Sequence, residues 1–489
     1  MQPISRRTAL KLGGVGAAFV VAGGAGVLWG QTGPITGSTS FVPRRALVQP
    51  KVLTSANGIL DVVLPVAEHP VLIGDTRVTA MTYGGSLPGP TLIVRPGDVL
   101  SIALENRLAS PTNLHTHGLH VSPDGSSDNV LRRVDAGTTA DYRYEIPAGH
   151  HPGVFWYHPH LHGMAADQVF GGLYGTIIVE DPVPLEVTRE RVLVISDMTF
   201  DSTGQIAAAS QMDRMSGREG STMLVNGQLG ATLAAHPGDC ERWRIVNACS
   251  SRYLDLRLDG QELELLGNDS GRFATPHKLS SLSLLPGNRA DVLVTMVDGG
   301  STLRAVPVDR GSPGGMGGTS QRSTTTVDLA ALTVSGSHAL PTTAAPARST
   351  PRDLRSARVT GSRTLTLAMG GGMGGGMSGG GMMGFTIDGK TFDPTRIDQR
   401  VSANAIEEWT IINSSPMDHP FHLHVWPMQV ISIGSDTLGP ATWQDVVNVP
   451  AHSRSTVRIA FEDFTGTAVF HCHILDHEDN GMMGIITVV

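Results

Sequence analysis

One stretch of this chain occurs three times, and that self-similarity narrows the possible folds more than any other feature of the sequence. Residues 96–106 read Pro-Gly-Asp-Val-Leu-Ser-Ile-Ala-Leu-Glu-Asn, residues 237–247 read Pro-Gly-Asp-Cys-Glu-Arg-Trp-Arg-Ile-Val-Asn, and residues 403–413 read Ala-Asn-Ala-Ile-Glu-Glu-Trp-Thr-Ile-Ile-Asn. Each is a turn followed by an alternating strand that closes on Asn106, Asn247 or Asn413. A second turn-and-strand motif also recurs, at Asp135-Ala-Gly-Thr-Thr-Ala-Asp-Tyr, Pro286-Gly-Asn-Arg-Ala-Asp-Val and Pro450-Ala-His-Ser-Arg-Ser-Thr-Val. The pattern predicts an all-β chain of three homologous β-sandwiches, roughly 45–183, 184–335 and 362–489. The Ser, Thr, Pro and Ala-rich stretch 336–361 reads as the linker between the second and third.

Composition agrees. The 489 residues suffice for about three domains, each with its own core. Gly (59) and Pro (30) are abundant, and the apolar runs are short and β-branched, as in many short strands joined by turns. A net charge of −8 provides no basic field, which argues against nucleic acid as a partner.

Counting from the repeated asparagines separates the three units. Nine and eleven residues after Asn106 stand His115 and His117, and at the same offsets from Asn413 stand His422 and His424. After Asn247 the same positions hold Leu256 and Leu258. A two-residue step puts both side chains on one face of a strand. The outer units can therefore face each other with matching histidine pairs, while the middle one acts as spacer and support.

Four histidine clusters result: His115-Thr-His117, His158-Pro-His160, His419-Pro-Phe-His422-Leu-His424 and His471-Cys472-His473, the last running on to His477 and Met482. Single histidines are ordinary core or surface residues, but eight of them in four paired motifs across two repeats point to metal. Imidazole suits Cu, Zn, Fe or Ni, and Cys472 selects among them. Two histidines, one thiolate and a weak axial thioether describe a blue-copper electron-transfer site, and His419, Cys472, His477 and Met482 supply that set. Zinc would take four closed ligands and has no use for a thioether. Strand alternation points Cys472 to one face and His471 and His473 to the other, which joins two metal sites through consecutive residues.

On these motifs the chain resembles the multicopper oxidase family along essentially all of its length beyond the first residues. The resemblance implies three cupredoxin-like Greek-key sandwiches and four copper ions. It assigns His419, Cys472, His477 and axial Met482 to type 1 copper, and His115 and His422 to type 2. His117, His158, His160, His424, His471 and His473 fall to the type 3 pair. It also implies one-electron oxidation of a donor coupled to four-electron reduction of O₂ to water. Met483 competes with Met482 as axial ligand, though the family spacing favours Met482. His120, His150, His151 and His162 have no counterpart in the third repeat and read as outer or surface residues. Trp156 and Tyr157 read as core aromatics. Reduction of O₂ consumes protons, so acids are expected near the cluster. Glu478 and Asp128 resemble the family's two, with Asp124 a rival to Asp128.

The electron donor is read from Met369, Met373, Met377, Met382 and Met383, five thioethers in a glycine tract over 369–383. Thioethers select Cu(I), and the tract resembles the Met-rich insertion of bacterial cuprous oxidases of copper tolerance. Two readings compete: a metallo-oxidase of Cu(I) or Fe(II), and a laccase-like oxidase of phenols and aromatic amines. A copper-binding or scaffold protein of the same fold is the third. Residues 5–11, Ser-Arg-Arg-Thr-Ala-Leu-Lys, precede the uncharged stretch 12–30. This is the pattern of a twin-arginine signal over 1–30, cleaved or kept as an anchor. The expected location is the periplasm, cell envelope or exterior, and the expected partners are O₂, Cu(I) or a small reducing substrate, and the twin-arginine export machinery. The chain is expected to act as a monomer. Cys240 and Cys249, about 3.3 Å per residue apart along an extended stretch, cannot bridge and are expected to be small buried apolar residues.

Overall fold

The first and third repeated strands bury every second side chain, and this alternation builds their cores. In Val99–Asn106 the buried set is Leu100, Ile102, Leu104 and Asn106; in Ile406–Asn413 it is Glu407, Trp409, Ile411 and Asn413. A computed structural model describes residues 42–313, 325–338, 350–370 and 384–489. The export signal expected at 1–30 lies outside these, as do Met373, Met377, Met382 and Met383. The described strands form six sheets, paired into three cupredoxin-like sandwiches with one main apolar core each. No helix among the described residues is long and apolar enough to cross a membrane.

The sandwiches share one pairing rule. The repeated strand lies parallel to a preceding one (Ile59–Ile73, Arg189–Met198 or Gly361–Met369) and antiparallel to the strand of the second motif (Thr139–Glu145, Arg289–Thr295 or Arg454–Ala460). The closing asparagines explain why the two motifs recur together. Each Nδ2 donates to the carbonyl just before the second motif, Val134, Leu284 or Val449, at 2.9–3.1 Å. Each Oδ1 accepts the amide two residues on, from Leu108, Cys249 or Ser415. The side chain thus clamps two loops at one end of each sandwich. These bonds place Leu285, one residue before Pro286, level with Pro450.

Cys240–Asn247 departs from simple alternation, because both of its faces are buried. Trp243 and Ile245 enter the middle core, while Val246 packs against Val154 and Trp156. Arg242 on that second face pairs with Asp181 at 2.7 Å and Asp291 at 2.6 Å. What reads as the polar side of a half-exposed strand is a buried ion network. Cys249 is buried, whereas Cys240, at the strand's start, is only half-buried. At the edges, Arg45–Ala46 pairs with Ala231 and Thr232 of the middle sandwich. Within the stretch 336–361, Leu354 is buried and its N–H donates to Gln429 at 2.6 Å, so this part lies against the third sandwich.

Asn247→Ala removes the clamp of the sandwich that carries no histidine pair. It strands the carbonyls of Arg252 and Leu284 and the N–H of Cys249, and is expected to cost about 3 kcal/mol. Thermal unfolding of the copper-free chain checks this, and an unchanged midpoint would make the clamp incidental.

Candidate metal centre

Pairing within each outer sandwich gathers the histidines. His115 stands opposite His158 where His115–His117 runs antiparallel to Gly153–His158. His422 stands opposite His471 where His419–Leu423 pairs with Gly466–Cys472. Directly opposed residues share a face, so each outer sandwich presents a patch of imidazoles. The two patches interlock: the His115 ring stacks on His424 at 3.9 Å and His117 on His422 at 4.0 Å. Ligand atoms gather within 4.8 Å in the sets His117-His158-His473, His160-His424-His471 and His115-His117-His422. Nε2 of His471 lies 3.0 Å from that of His160 and 3.1 Å from that of His424. The eight histidines of the paired motifs come together; His120, His150, His151 and His162 belong to none of the sets found among the described residues.

Cys472 leaves the same strand on the other face. It pairs with Phe421 and enters the third core together with Met482. Its Sγ lies 3.3 Å from Nδ1 of His419 and 3.8 Å from Nδ1 of His477, and the two nitrogens are 3.3 Å apart. The outer nitrogens are engaged elsewhere: Nε2 of His419 with Ser415 Oγ at 2.7 Å, and Nε2 of His477 with the Met215 carbonyl at 3.2 Å. Both Nδ1 atoms therefore point inward at the sulfur. Met482 shares a core cluster with Cys472, whereas Met483 packs with Val130, Val469 and Ile485 in another, which separates the two axial candidates. The short helix Leu475–Asp479 serves both sites, sending His477 to the thiol and Glu478 to the histidines.

Burial dominates the electrostatics. It lowers the ring pKa of His158 and His419 to about 3 and of His471 to about 4, and drives His115, His117, His160, His422, His424 and His473 well down, with neighbouring charges reinforcing it. The rings stay neutral, with lone pairs available to a metal. Burial also raises the Cys472 thiol, so metal must displace its proton. Asp128 is buried with both oxygens 3.0 Å from Nδ1 of His115, accepts from the Thr116 N–H and hydroxyl, and is pushed up to about 7 by desolvation. Asp124 instead accepts from the Thr467 N–H at the surface, away from the histidines. Glu478 is fully buried, with its oxygens 3.5 Å from His160 Nδ1 and 3.2 Å from His471 Nδ1, and burial raises its pKa well above the ordinary value.

The donor set fits copper. Nε2 of His115 and His422, Nδ1 of His424 and both nitrogens of His473 are buried without a hydrogen-bond partner. Such orphans are costly unless something else satisfies them. Histidine pairs around one cysteine, a thioether and no other thiolate match copper rather than zinc. Trp156 does more than fill a core: its ring stacks on His158 at 4.1 Å. Met369 ends the strand Gly361–Met369 half-buried against the third core, and the other four methionines of the tract lie outside the described residues. Sequence reading missed Asn113, whose Oδ1 accepts the His160 N–H, and Asp445, which contacts His117 and His422. Neither stands in a repeated motif.

Three family models, each described as Multicopper oxidase, match residues 66–184, 189–304 and 367–489. The chain is 30% identical over 433 residues to the multicopper oxidase mco of Staphylococcus aureus, covering 83% of each. It is 27% identical to a laccase of Bacillus subtilis (82% of this chain, 88% of that one) and 26% identical to the cell division protein FtsP of Proteus mirabilis (91% and 92%). A multicopper oxidase from Campylobacter jejuni, described as a metallo-oxidase, superimposes with a TM-score of 0.79 at 30% identity, covering 93% of this chain and 98% of that one.

The neutral histidines have a consequence for the copper-free chain. Their folded pKa values lie below the ordinary value of about 6.5, so between the two the unfolded state binds more protons and stability falls as pH falls. Each contributes up to about 2 kcal/mol of loss at pH 5; the raised carboxyls of Asp128, Glu478, Asp269 and Asp479 work the other way but are outnumbered. The unfolding midpoint of chelator-treated protein is expected to be lower at pH 5 than at pH 7. A midpoint equal or higher at pH 5 would contradict neutral, buried imidazoles.

Proposed function

This chain belongs to the multicopper oxidase family, a copper-dependent oxidoreductase with O₂ as acceptor, and we propose that its electron donor is Cu(I), or Fe(II) as a second metal, in the service of copper tolerance. Four copper ions are assigned: one to His419, Cys472, His477 and Met482, one to His115 and His422, and two to His117, His158, His160, His424, His471 and His473. Copper held there supplies one-electron oxidation of the donor and four-electron reduction of O₂ to water. Cys472 joins the two sites through its own backbone to His471 and His473. Burial at His115, His117 and the others keeps water out and lone pairs unprotonated. Glu478 and Asp128, both raised by burial, stand beside His160, His471 and His115, where their carboxyl oxygens can take up and pass on the protons that O₂ reduction consumes.

The observation that carries the Cu(I) reading is where the Met-rich tract starts and returns. Met369 and Phe385 are paired across two adjacent strands, and the Phe385 ring stacks on His477 at 4.2 Å. The described ends of a tract whose sequence holds five soft thioethers therefore stand near the thiolate site. The Campylobacter protein, described as a metallo-oxidase, supports the same reading. Similarity to the Bacillus laccase keeps phenols as the competing substrates.

Replacing Met373, Met377, Met382 and Met383 by Ser keeps the length of the tract and removes soft ligands. It is expected to raise KM for Cu(I) about tenfold, the loss of ~1.4 kcal/mol of binding, while oxidation of a phenol persists. Identical Cu(I) kinetics would favour the laccase-like reading. Glu478→Gln preserves size but holds no acidic proton; O₂ consumption is expected to slow about a hundredfold at unchanged copper content. Wild-type rates would reduce Glu478 to packing.

A further inference from the structure

The middle sandwich carries leucines where its neighbours carry histidine pairs, yet its second-motif turn reaches the histidine cluster. Gly287, at φ 88°, passes so close to His473 that a Cβ there would stand 2.8 Å from the ring. Two residues on, the fully buried Arg289 sends Nη1 and Nη2 to the two carboxylate oxygens of Asp445, at 2.5 and 2.7 Å. Asp445 stands just before the strand Val446–Val449 of the third sandwich. Its Oδ1 lies 3.0 Å from Nε2 of His117 in the first sandwich, and its backbone carbonyl lies 2.7 Å from Nδ1 of His422. Ser270 Oγ donates to Oδ2 at 2.8 Å. Arg289 is itself fixed: its N–H donates to Asp269 at 2.8 Å and its Nε to the Val154 carbonyl at 3.2 Å. Gly118 leaves the room that Nη2 occupies, since any Cβ there would collide with it.

We propose that Arg289 and Asp445 are positioning residues that set which nitrogen of His117 and His422 faces metal, so that the sandwich without ligands orders the ligands of the other two. A carboxylate gripped by a guanidinium fork acts only as an acceptor. The proton of His117 therefore sits on Nε2, leaving the lone pair on Nδ1. That Nδ1 lies 3.4 Å from Nε2 of His158, inside the set His117-His158-His473. At His422 the Asp445 carbonyl can only accept, so Nδ1 donates and Nε2, which has no protein partner, keeps its lone pair. One residue thus orients one histidine from each outer sandwich, and those two rings stack within 7° of parallel. A ligating imidazole whose other nitrogen is held by a carboxylate or carbonyl has its tautomer and ring plane set in advance. Here the carboxylate owes its own orientation to an arginine contributed by the middle sandwich.

The proposal rests on His117 being a copper ligand, and the test separates the two ideas. Asp445→Asn keeps size but leaves one acceptor oxygen for which Arg289 and His117 compete. Arg289→Lys keeps the charge and loses the fork. In the full copper-loaded chain, both are expected to hold histidine-cluster copper about 10- to 100-fold more weakly in chelator competition. The electron paramagnetic resonance line shape of the non-thiolate Cu(II) should change, while the visible absorption of the thiolate site keeps its intensity. Unfolding of the copper-free chain separates positioning from folding: neutralising one member of a buried ion pair is expected to lower the Asp445→Asn midpoint, so copper binding is compared well below the midpoints of both chains. His117→Ala is the control. If it loses cluster copper while Asp445→Asn and Arg289→Lys keep wild-type affinity and line shape, the positioning role is refuted. If all three keep full copper, the ligand reading of His117 falls first. Equal loss from the thiolate site and the cluster would make the pair a general bridge between sandwiches and also overturn the proposal. Should Arg289→Lys fail to fold, Asp445→Asn decides alone.

Discussion

Two faces of neutral imidazole pressed together between the outer sandwiches are the constraint on which everything else in this molecule depends. Each ring must be desolvated, which is costly for a polar group without a partner. Each must also stay unprotonated, which burial and mutual proximity enforce. A cluster of orphaned nitrogens does not hold itself together, so the surrounding fold has to. That explains the stiffness of the frame: antiparallel pairs that set His115 against His158 and His422 against His471, and loop ends clamped by the same asparagine in every sandwich. It also explains why the acids near the cluster are buried beside imidazole nitrogens, where desolvation lets them keep protons.

Strand alternation then does the work of wiring. Cys472 and its neighbours occupy three successive positions of one strand and its continuation, yet they serve two chemically different sites because their side chains leave on opposite faces. The thiol turns into the third core among Phe421, Met482 and Ile474; His471 turns out toward the first sandwich and His160. Adjacent residues of the helix Leu475–Asp479 repeat the division, with His477 on the sulfur side and Glu478 on the cluster side. A slip of one residue in the strand would turn Cys472 toward the cluster and a histidine into the core.

Much of this was legible in the sequence, and the reason is locality. The offset from each asparagine to its histidine pair is only nine and eleven residues of chain, and the two-residue step within each pair fixes a shared face. The fold class follows from the same repeat. Choices that depend on depth of burial were not legible: Asp124 and Asp128 share one loop, and only the structure shows one at the surface and the other against His115. Met482 and Met483 are adjacent, and only packing puts them in different clusters. The outer partners of the cluster were invisible for a further reason. Asp445 meets His117 across 328 positions and Arg289 across 156, and no pattern within a window of chain records such a pair.

The middle sandwich changes meaning once that pair is seen. By sequence it is the copy that lost its histidines, with Leu256 and Leu258 turned into its own core. Its second-motif turn leads into a buried arginine that spans from its own Asp269 to Asp445 of the third sandwich and, through it, His117 of the first. An arginine suits this junction because its fork engages both oxygens of a carboxylate at once and so fixes a direction as well as a charge. Three copies of one fold are therefore not two working units and a spacer: two supply ligands, and the third supplies the hydrogen-bond geometry in which those ligands are presented.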